Sequence, residues 1–302
     1  MQYPDESTVL IQEVSTRDGL QNEPNIVDPS QRIQIINALV KAGLRRVQIG
    51  SFVNPHMVPQ MAGSDAVWRG LEHNNRDVRY TVLILNEKGF KTALDLKVSH
   101  IEIYVSASET HSLKNSRMSV RRALDIAVST IRLAREARIE VTGGIMCAFG
   151  CSFEGLISKD KVCQMVSILL ESGATEIALA DTTGMAKPDN IRSLVASVGK
   201  LTPLEKVGLH IHDTQGYGLA NIQAGIESGI RKFDSSVGGI GGCPFIPGAK
   251  GNVDTEKAVR LIEGLGFKTG IDLEKLKIAE SILKSFLHLS VEHDAIGPKR
   301  KI

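Results

Sequence analysis

What most constrains the fold of this chain is a rhythm. Short runs rich in Val and Ile fall at residues 8–15, 46–51, 79–85, 100–106, 140–146, 176–180, 206–212 and 232–236. Longer segments with helical spacing of apolar residues separate them, at 30–42, 64–73, 87–96, 119–137, 159–172, 188–198 and 217–228, and another follows at 255–264. Strands that alternate with helices predict a parallel sheet. Eight such units of about 30 residues predict a closed (β/α)8 TIM barrel rather than an open doubly wound sheet. No G-x-G-x-x-G follows the first strand, which also weighs against a dinucleotide fold. Asp28, Pro29 and Ser30 punctuate the start of the first helix, and Gly43 its end. In residues 272–290, Leu273, Leu276, Ile282, Leu283, Phe286 and Leu287 recur at helical spacing. This predicts one more helix, packed on the barrel or against a second subunit. The expected organisation is a barrel over residues 1–270 and a helical C-terminal extension of the same domain over 271–302.

Composition excludes several classes. The 302 residues carry a net charge of +2, too small to argue for nucleic acid or a membrane surface. No apolar run approaches the roughly 18 residues needed to span a bilayer. The four cysteines, Cys147, Cys151, Cys163 and Cys243, form neither a zinc-type pair nor a disulfide framework. The first residues, MQYPDEST, lack the character of a signal or transit peptide. The expectation is a soluble cytoplasmic protein in a reducing compartment.

In such barrels chemistry gathers where strands end and βα loops begin. Strand one runs into Arg17-Asp18-Gly19, strand two ends near Gln48, strand six in Asp181-Thr182-Thr183-Gly184 and strand seven in His210-Ile211-His212-Asp213. Strand eight leads to a glycine-rich loop carrying Cys243 and Asn252. Side chains alternate along a strand, so His210 and His212 share a face. Asp18, His210, His212 and Asn252 offer two nitrogen and two oxygen ligands, a set suited to a divalent Lewis acid. Magnesium and manganese lead among the metals, with zinc an alternative through the histidines. Each residue also has a plainer reading. The histidines can be satisfied core residues. Arg17 and Asp18 can pair with each other, Asp181 and Asn252 can cap helices, and Cys243 can be a small buried hydrophobe. A glycine-flanked loop suits a lid better than a core, which predicts activity sensitive to oxidation at Cys243.

The motifs TRDGLQNE, GSFVNPHMVPQM, GCSFEG, DTTG, HIHDTQGYGLAN and SSVGGIGGCPFIPGAKGN occur in that order. Through them the chain resembles the 3-hydroxy-3-methylglutaryl-CoA lyase family, within the metal-dependent lyase and acyl-condensing barrels. The likeness runs from about Val9 to Leu287. It implies that Asp18, His210, His212 and Asn252 hold the metal, that Arg17 reaches the thioester carbonyl, and that Cys243 rides on a closing loop. It implies organising roles at the substrate site for Asp181 and Glu256, and places Asn115 near the coenzyme A portion. The implied reaction cleaves an acyl-CoA to acetyl-CoA and acetoacetate, the implied pathway is leucine degradation, and most relatives are homodimers or larger.

One departure stands out. Where that family usually has a glutamate at the end of strand two, this chain has Gln48. Glutamine keeps the length and hydrogen bonding but carries neither charge nor a titratable proton. A shifted acyl-CoA substrate is therefore an alternative. So are a condensing acyltransferase using acetyl-CoA and a keto acid, and a catalytically silent metal- and CoA-binding barrel.

Overall fold

The computed structural model describes residues 7–75, 77–241 and 251–289. Eight parallel strands close in sequence order into a barrel: β1 (Leu10–Glu13), β2 (Arg46–Phe52), β3 (Arg79–Ile84), β4 (His100–Ser106), β5 (Glu140–Met146), β6 (Glu176–Asp181), β7 (Val207–Ile211) and β8 (Lys232–Ser235). Closure comes from β1 pairing with β8, with Gln12 level with Asp234. The helices are α1 (Pro29–Lys41), α2 (Ser64–Gly70), α3 (Glu87–Asp95), α4 (Glu109–Ser116), α5 (Val120–Glu136), α6 (Lys159–Ser172), α7 (Pro188–Val198), α8 (Gly218–Glu227), α9 (Thr255–Gly264) and α10 (Leu273–Leu287). No helix among the described residues is long and apolar enough to cross a membrane.

Local sequence explains the helix ends. Asp28 and Gln31 form a capping box at the start of α1, and Pro29 takes the first position, where its missing N–H costs nothing. Gly43 ends α1 in the left-handed region, with φ +103°, and a Cβ there would lie 2.2 Å from the carbonyl oxygen of Gly270. That close approach lets the chain entering α10 run beside α1, where Asp272 N–H donates to Ala42 O at 2.8 Å. Helix α10 buries Leu276, Ala279, Leu283 and Leu287, in the same hydrophobic core as Ile35, Ile36 and Leu39 of α1. It therefore packs on the outside of the barrel.

The N-terminal end of the barrel is closed by charge. Glu176 accepts two hydrogen bonds from Arg46, both 2.9 Å, and one from Arg79 at 3.1 Å, and lies 2.9 Å from Lys232 Nζ. Conserving charge balance at this end is a matter of stability, because the chemistry of such barrels sits at the other end.

Differences from the expected elements are local. The segment after β4 contains α4, whose polar sequence ETHSLKNS hides its helicity; only His111 and Ser112 of it are buried. Strand β1 stops at Glu13 because residues Ser15–Gly19 wind into a single π turn, closed by Gly19 N–H to Val14 O at 3.1 Å. Helix α2 ends at Gly70, and His73 lies beyond it with its ring 4.4 Å from that of Trp68.

Candidate active site

The π turn, a rare form found most often at functional sites, carries Arg17 and Asp18 to the C-terminal mouth of the barrel. Thr16 pins the turn to β2 by donating to Gln48 O at 3.0 Å. His210 lies in β7 and His212 just past its end; their rings are 5.0 Å apart and their Nε2 atoms 3.0 Å apart. Leu209 and Ile211 point the other way into the hydrophobic core, as alternation requires. Residues 251–253 then run alongside the end of β7. Asp213 N–H donates to Gly251 O at 2.9 Å, and His212 pairs with Asn252. This return brings Asn252 to the histidines. Gly241 makes it feasible: its φ is +94°, and a Cβ would sit 2.8 Å from Asn252 Nδ2 and 2.8 Å from Asp18 O.

Three of the expected metal ligands thus converge, with Asn252 beside them. One ligand atom each from Asp18, His210 and His212 lies within 4.8 Å of the other two. Asn252 Nδ2 donates to Asp18 Oδ2 at 2.8 Å and to Ile240 O at 3.1 Å. Its Oδ1 is buried with no hydrogen-bond partner among the described residues. A buried carbonyl oxygen without a donor is costly; a turn of the amide, which exchanges its two ends, would offer Oδ1 to a cation beside Asp18. His210 Nδ1 lies 3.0 Å from Asp234 Oδ2, an acceptor only. That fixes the proton on Nδ1 and leaves the Nε2 lone pair facing the cluster, the arrangement characteristic of metal-bound histidine. The donor set fits a divalent ion.

Charge supports the same reading. Burial raises the Asp18 carboxyl, but the Arg17 guanidinium and the two imidazoles outweigh it and hold the group well below the usual carboxylate range. Asp18 is therefore an anion ready for a metal. Burial lowers His210, yet its bond to Asp234 and the charge of Asp18 raise it above the ordinary histidine value. His212 is lowered, because burial and the neighbouring His210 outweigh the pull of Asp18. The plain Arg17–Asp18 ion pair does form, at 2.6 Å, but it uses only one face of each group. Arg17 Nε also donates to Gln48 Oε1. Nη2 has no hydrogen-bond partner among the described residues.

The other expected residues have partners of their own. Asp181 spends its carboxylate on the backbone N–H groups of Met185 and Ala186, at 3.0 and 3.2 Å, and burial pushes it up to about 7. It holds the βα loop rather than facing open space. Glu256, in the first turn of α9, pairs with Arg260 at 2.7 Å. Asn115, on α4, lines a small cavity with Tyr104, Ser106, Ser112 and Met146. Cys243 lies outside the described residues. Cys147 and Cys151 are buried and unbridged, and burial raises the Cys147 thiol, so both behave as packing groups.

Three residues at the site escape the sequence reading. Asp234 orients His210. Glu13, wholly buried, binds Thr255 Oγ1 at 2.7 Å and Val237 N–H at 3.0 Å, and so ties β1 to the segment after β8; burial pushes it up to about 7. Glu102 stands behind Gln48, 2.6 Å from its Nε2. A signal existed for Glu102, a charged residue between the isoleucines of β4; the short strands of Glu13 and Asp234, LIQE and KFDS, offer none.

Comparison with known proteins agrees with this geometry. The chain matches the HMGL-like family over residues 8–283. It is 41% identical over 266 residues to the hydroxymethylglutaryl-CoA lyase of Pseudomonas mevalonii, covering 88% of each chain. It is 40% identical over 291 residues to the (R)-citramalyl-CoA lyase of Chloroflexus aurantiacus, covering 92% of this chain and 91% of that one. A solved HMG-CoA lyase from Acinetobacter baumannii, in complex with coenzyme A and 3-methylmalate, has a TM-score of 0.90 at 36% identity and covers 99% of each chain. The family match takes in all eight strands, the π turn, both histidines and Asn252, so the site and the barrel that builds it come under one description: the chain belongs to the HMGL-like family.

Proposed function

We propose that this chain is a divalent-metal-dependent carbon–carbon lyase that cleaves 3-hydroxy-3-methylglutaryl-CoA to acetyl-CoA and acetoacetate. The observation that carries the reading is the convergence of Asp18, His210, His212 and Asn252 beside Arg17 at the barrel mouth. Magnesium or manganese suits a set in which hard oxygen donors match nitrogen ones. Held by these four residues, a divalent ion would supply Lewis acidity to the substrate's hydroxyl and carboxylate oxygens.

The remaining work falls to the chain itself. As the bond between carbons two and three breaks, negative charge develops on the thioester oxygen. Arg17 is fixed by Asp18 and Gln48 through Nε and Nη1, which leaves Nη2 without a partner among the described residues to meet that charge. A donor already in place stabilises the transition state more than the ground state. A proton must leave the hydroxyl and another must reach the enolate carbon. We assign part of this traffic to Cys243; His210, with Nδ1 on Asp234 and Nε2 turned to the cluster, serves it by holding the ion that acidifies the hydroxyl. Asn115, Asp181 and Glu256 shape the mouth that receives the acyl-CoA. The resemblance also leads us to propose a homodimer or larger assembly, which sedimentation velocity would test.

A second reading is favoured by one observation: identity to the (R)-citramalyl-CoA lyase is 40%, level with the hydroxymethylglutaryl-CoA relatives. The two substrates place the carboxylate one carbon apart. A coupled assay should therefore run both thioesters with magnesium, with manganese and with chelator. Metal-dependent acetoacetate release supports the first reading, and pyruvate release from citramalyl-CoA with no acetoacetate supports the second. Acetyl-CoA consumption with free CoA release in the presence of a keto acid would overturn both.

A further inference from the structure

The mechanism above leaves a buried carboxyl beside Arg17's partner Gln48 unused. Glu102, on β4, is 0% exposed and lies inside the barrel. Its Oε1 accepts from Thr81 Oγ1 at 2.5 Å. Its Oε2 accepts from Gln48 Nε2 at 2.6 Å and from Tyr104 Oη at 3.3 Å. Gln48 is equally buried, and its other end accepts from Arg17 Nε. The four side chains therefore form a line: Thr81, Glu102, Gln48, Arg17.

The direction of this line matters. An amide can turn over and exchange its donor and acceptor ends. Burial pushes the Glu102 carboxyl up to about 7; above that pH it is a carboxylate, which accepts only, and it turns the NH2 of Gln48 toward itself. The carbonyl oxygen is then forced toward Arg17. Without that constraint the amide could present its NH2 to the guanidinium, donor against donor. The line also sets the charge near Arg17. The group touching Nε is neutral, and the balancing negative charge sits one side chain further away. Arg17 Nε–H, a donor only, favours the same orientation from the other end.

We propose that Gln48 and Glu102 act as one unit carrying a single negative charge, and that Glu102 is a positioning residue which fixes the Arg17 guanidinium through Gln48. The inference deepens the lyase reading and rests on it. The unit tolerates its charge on either member but not zero charges or two. Gln48→Glu puts two carboxylates in contact inside the barrel. Glu102→Gln removes the charge and leaves a single oxygen on an amide that can turn either end toward Gln48, so the orientation is no longer fixed. The exchange Gln48→Glu with Glu102→Gln restores one charge, now beside Arg17, and one amide behind it.

The test is the four-member cycle in kcat/KM, with Mn2+ affinity and thermal unfolding measured on each variant. Each single change should lower kcat/KM by about tenfold or more, mainly through kcat, while Mn2+ affinity stays within about threefold. Independent losses would multiply to about a hundredfold in the double variant; the unit predicts recovery to within about threefold of the parent. Multiplying losses overturn the proposal. So does an unchanged Glu102→Gln, or a loss of unfolding temperature with kcat/KM intact, which would make the contact merely structural. A readout independent of substrate accompanies the cycle: the Arg17 Nε–H signal in arginine-labelled protein, assigned by its disappearance in Arg17→Lys. It should move in both single variants and return in the double. If the parent cleaves none of the thioesters, the lyase reading fails, and an unmoved Nε–H signal in Glu102→Gln still decides this one.

Discussion

Replacing Asp234 separates the metal site from its support. Its Oδ2 faces His210 Nδ1 at 3.0 Å and its Oδ1 accepts from Gln12 Nε2 at 3.2 Å, with the side chain 13% exposed. In Asp234→Asn only one oxygen remains. Gln12 can turn its own amide to suit, so the bond to His210 survives as a neutral one. A charge-assisted bond contributes about 1.5–3 kcal/mol and a neutral one about 0.5–1.5 kcal/mol. The difference of about 1.4 kcal/mol is a tenfold weakening of metal binding. Asp234→Ala loses the bond and frees the ring to rotate or change tautomer, which should weaken binding roughly 50–100-fold. Mn2+ titration followed by the electron paramagnetic resonance of the free ion reads both. It is best run near pH 8, because His210 is raised above the ordinary histidine value and protons would compete at lower pH. The reasoning is refuted if Asp234→Ala binds Mn2+ within threefold of the parent, or if the Asn variant is the weaker of the two.

Other changes probe other parts. Arg17→Gln should lower kcat/KM by about 10²–10³, yet retain or tighten Mn2+ binding, because Asp18 loses a competing cation; equal loss of both would place Arg17 in the metal site instead. Glu176→Gln leaves Arg46, Arg79 and Lys232 around a neutral group and should destabilise the fold by about 3–5 kcal/mol in urea unfolding. Burial raises Glu176, but Arg46 and Lys232 outweigh it and depress the group strongly. Its stabilisation is therefore complete above the unfolded value of about 4.3 and is lost as pH falls toward the depressed native value. Between pH 5 and 3 the parent should lose more unfolding free energy than the Gln variant. Leu283→Ala, at a buried position of α10, should cost about 2–5 kcal/mol while leaving Mn2+ affinity unchanged. A single transition seen both by far-ultraviolet circular dichroism and by Trp68 fluorescence would place α10 in the barrel's own domain, whereas two separate transitions would set it apart.

The barrel was legible because its signal is redundant. Eight apolar runs and eight amphipathic segments each constrain the others, and a slip of a few residues at β1 or α2 leaves the topology unchanged. The ligand set was legible because it sits at strand ends, where a barrel puts its chemistry. Helix α4 was not, since its buried face is only His111 and Ser112 and offers no apolar period. Nor were Glu102 and Asp234. Alternation along a strand reveals two faces but not which one meets water. In β4 and β8 the polar face looks into the barrel, where Glu102 meets Gln48 and Asp234 meets His210. The π turn was invisible for a different reason: its closing bond joins residues five apart, a spacing that no side-chain pattern marks.

Gln48 shows how a residue can be read correctly and its setting missed. A glutamine where relatives usually carry glutamate suggested a site short of one negative charge. A carboxyl is in the barrel, one side chain deeper, because Glu102 stands where only the folded sheet brings it beside β2; burial pushes it up to about 7, so it carries its charge above that pH. This relocation has a consequence for Arg17. A carboxylate touching Nε would neutralise part of the guanidinium's field, in addition to the part taken by Asp18 at 2.6 Å. A neutral amide leaves more of that field for charge developing on a bound thioester, and Coulomb attraction in a low-dielectric mouth falls off slowly enough for the difference to count. Substitution at one strand end is thus inseparable from a residue two strands away, and Glu102→Gln rather than any change at Gln48 is the variant that separates a missing charge from a moved one.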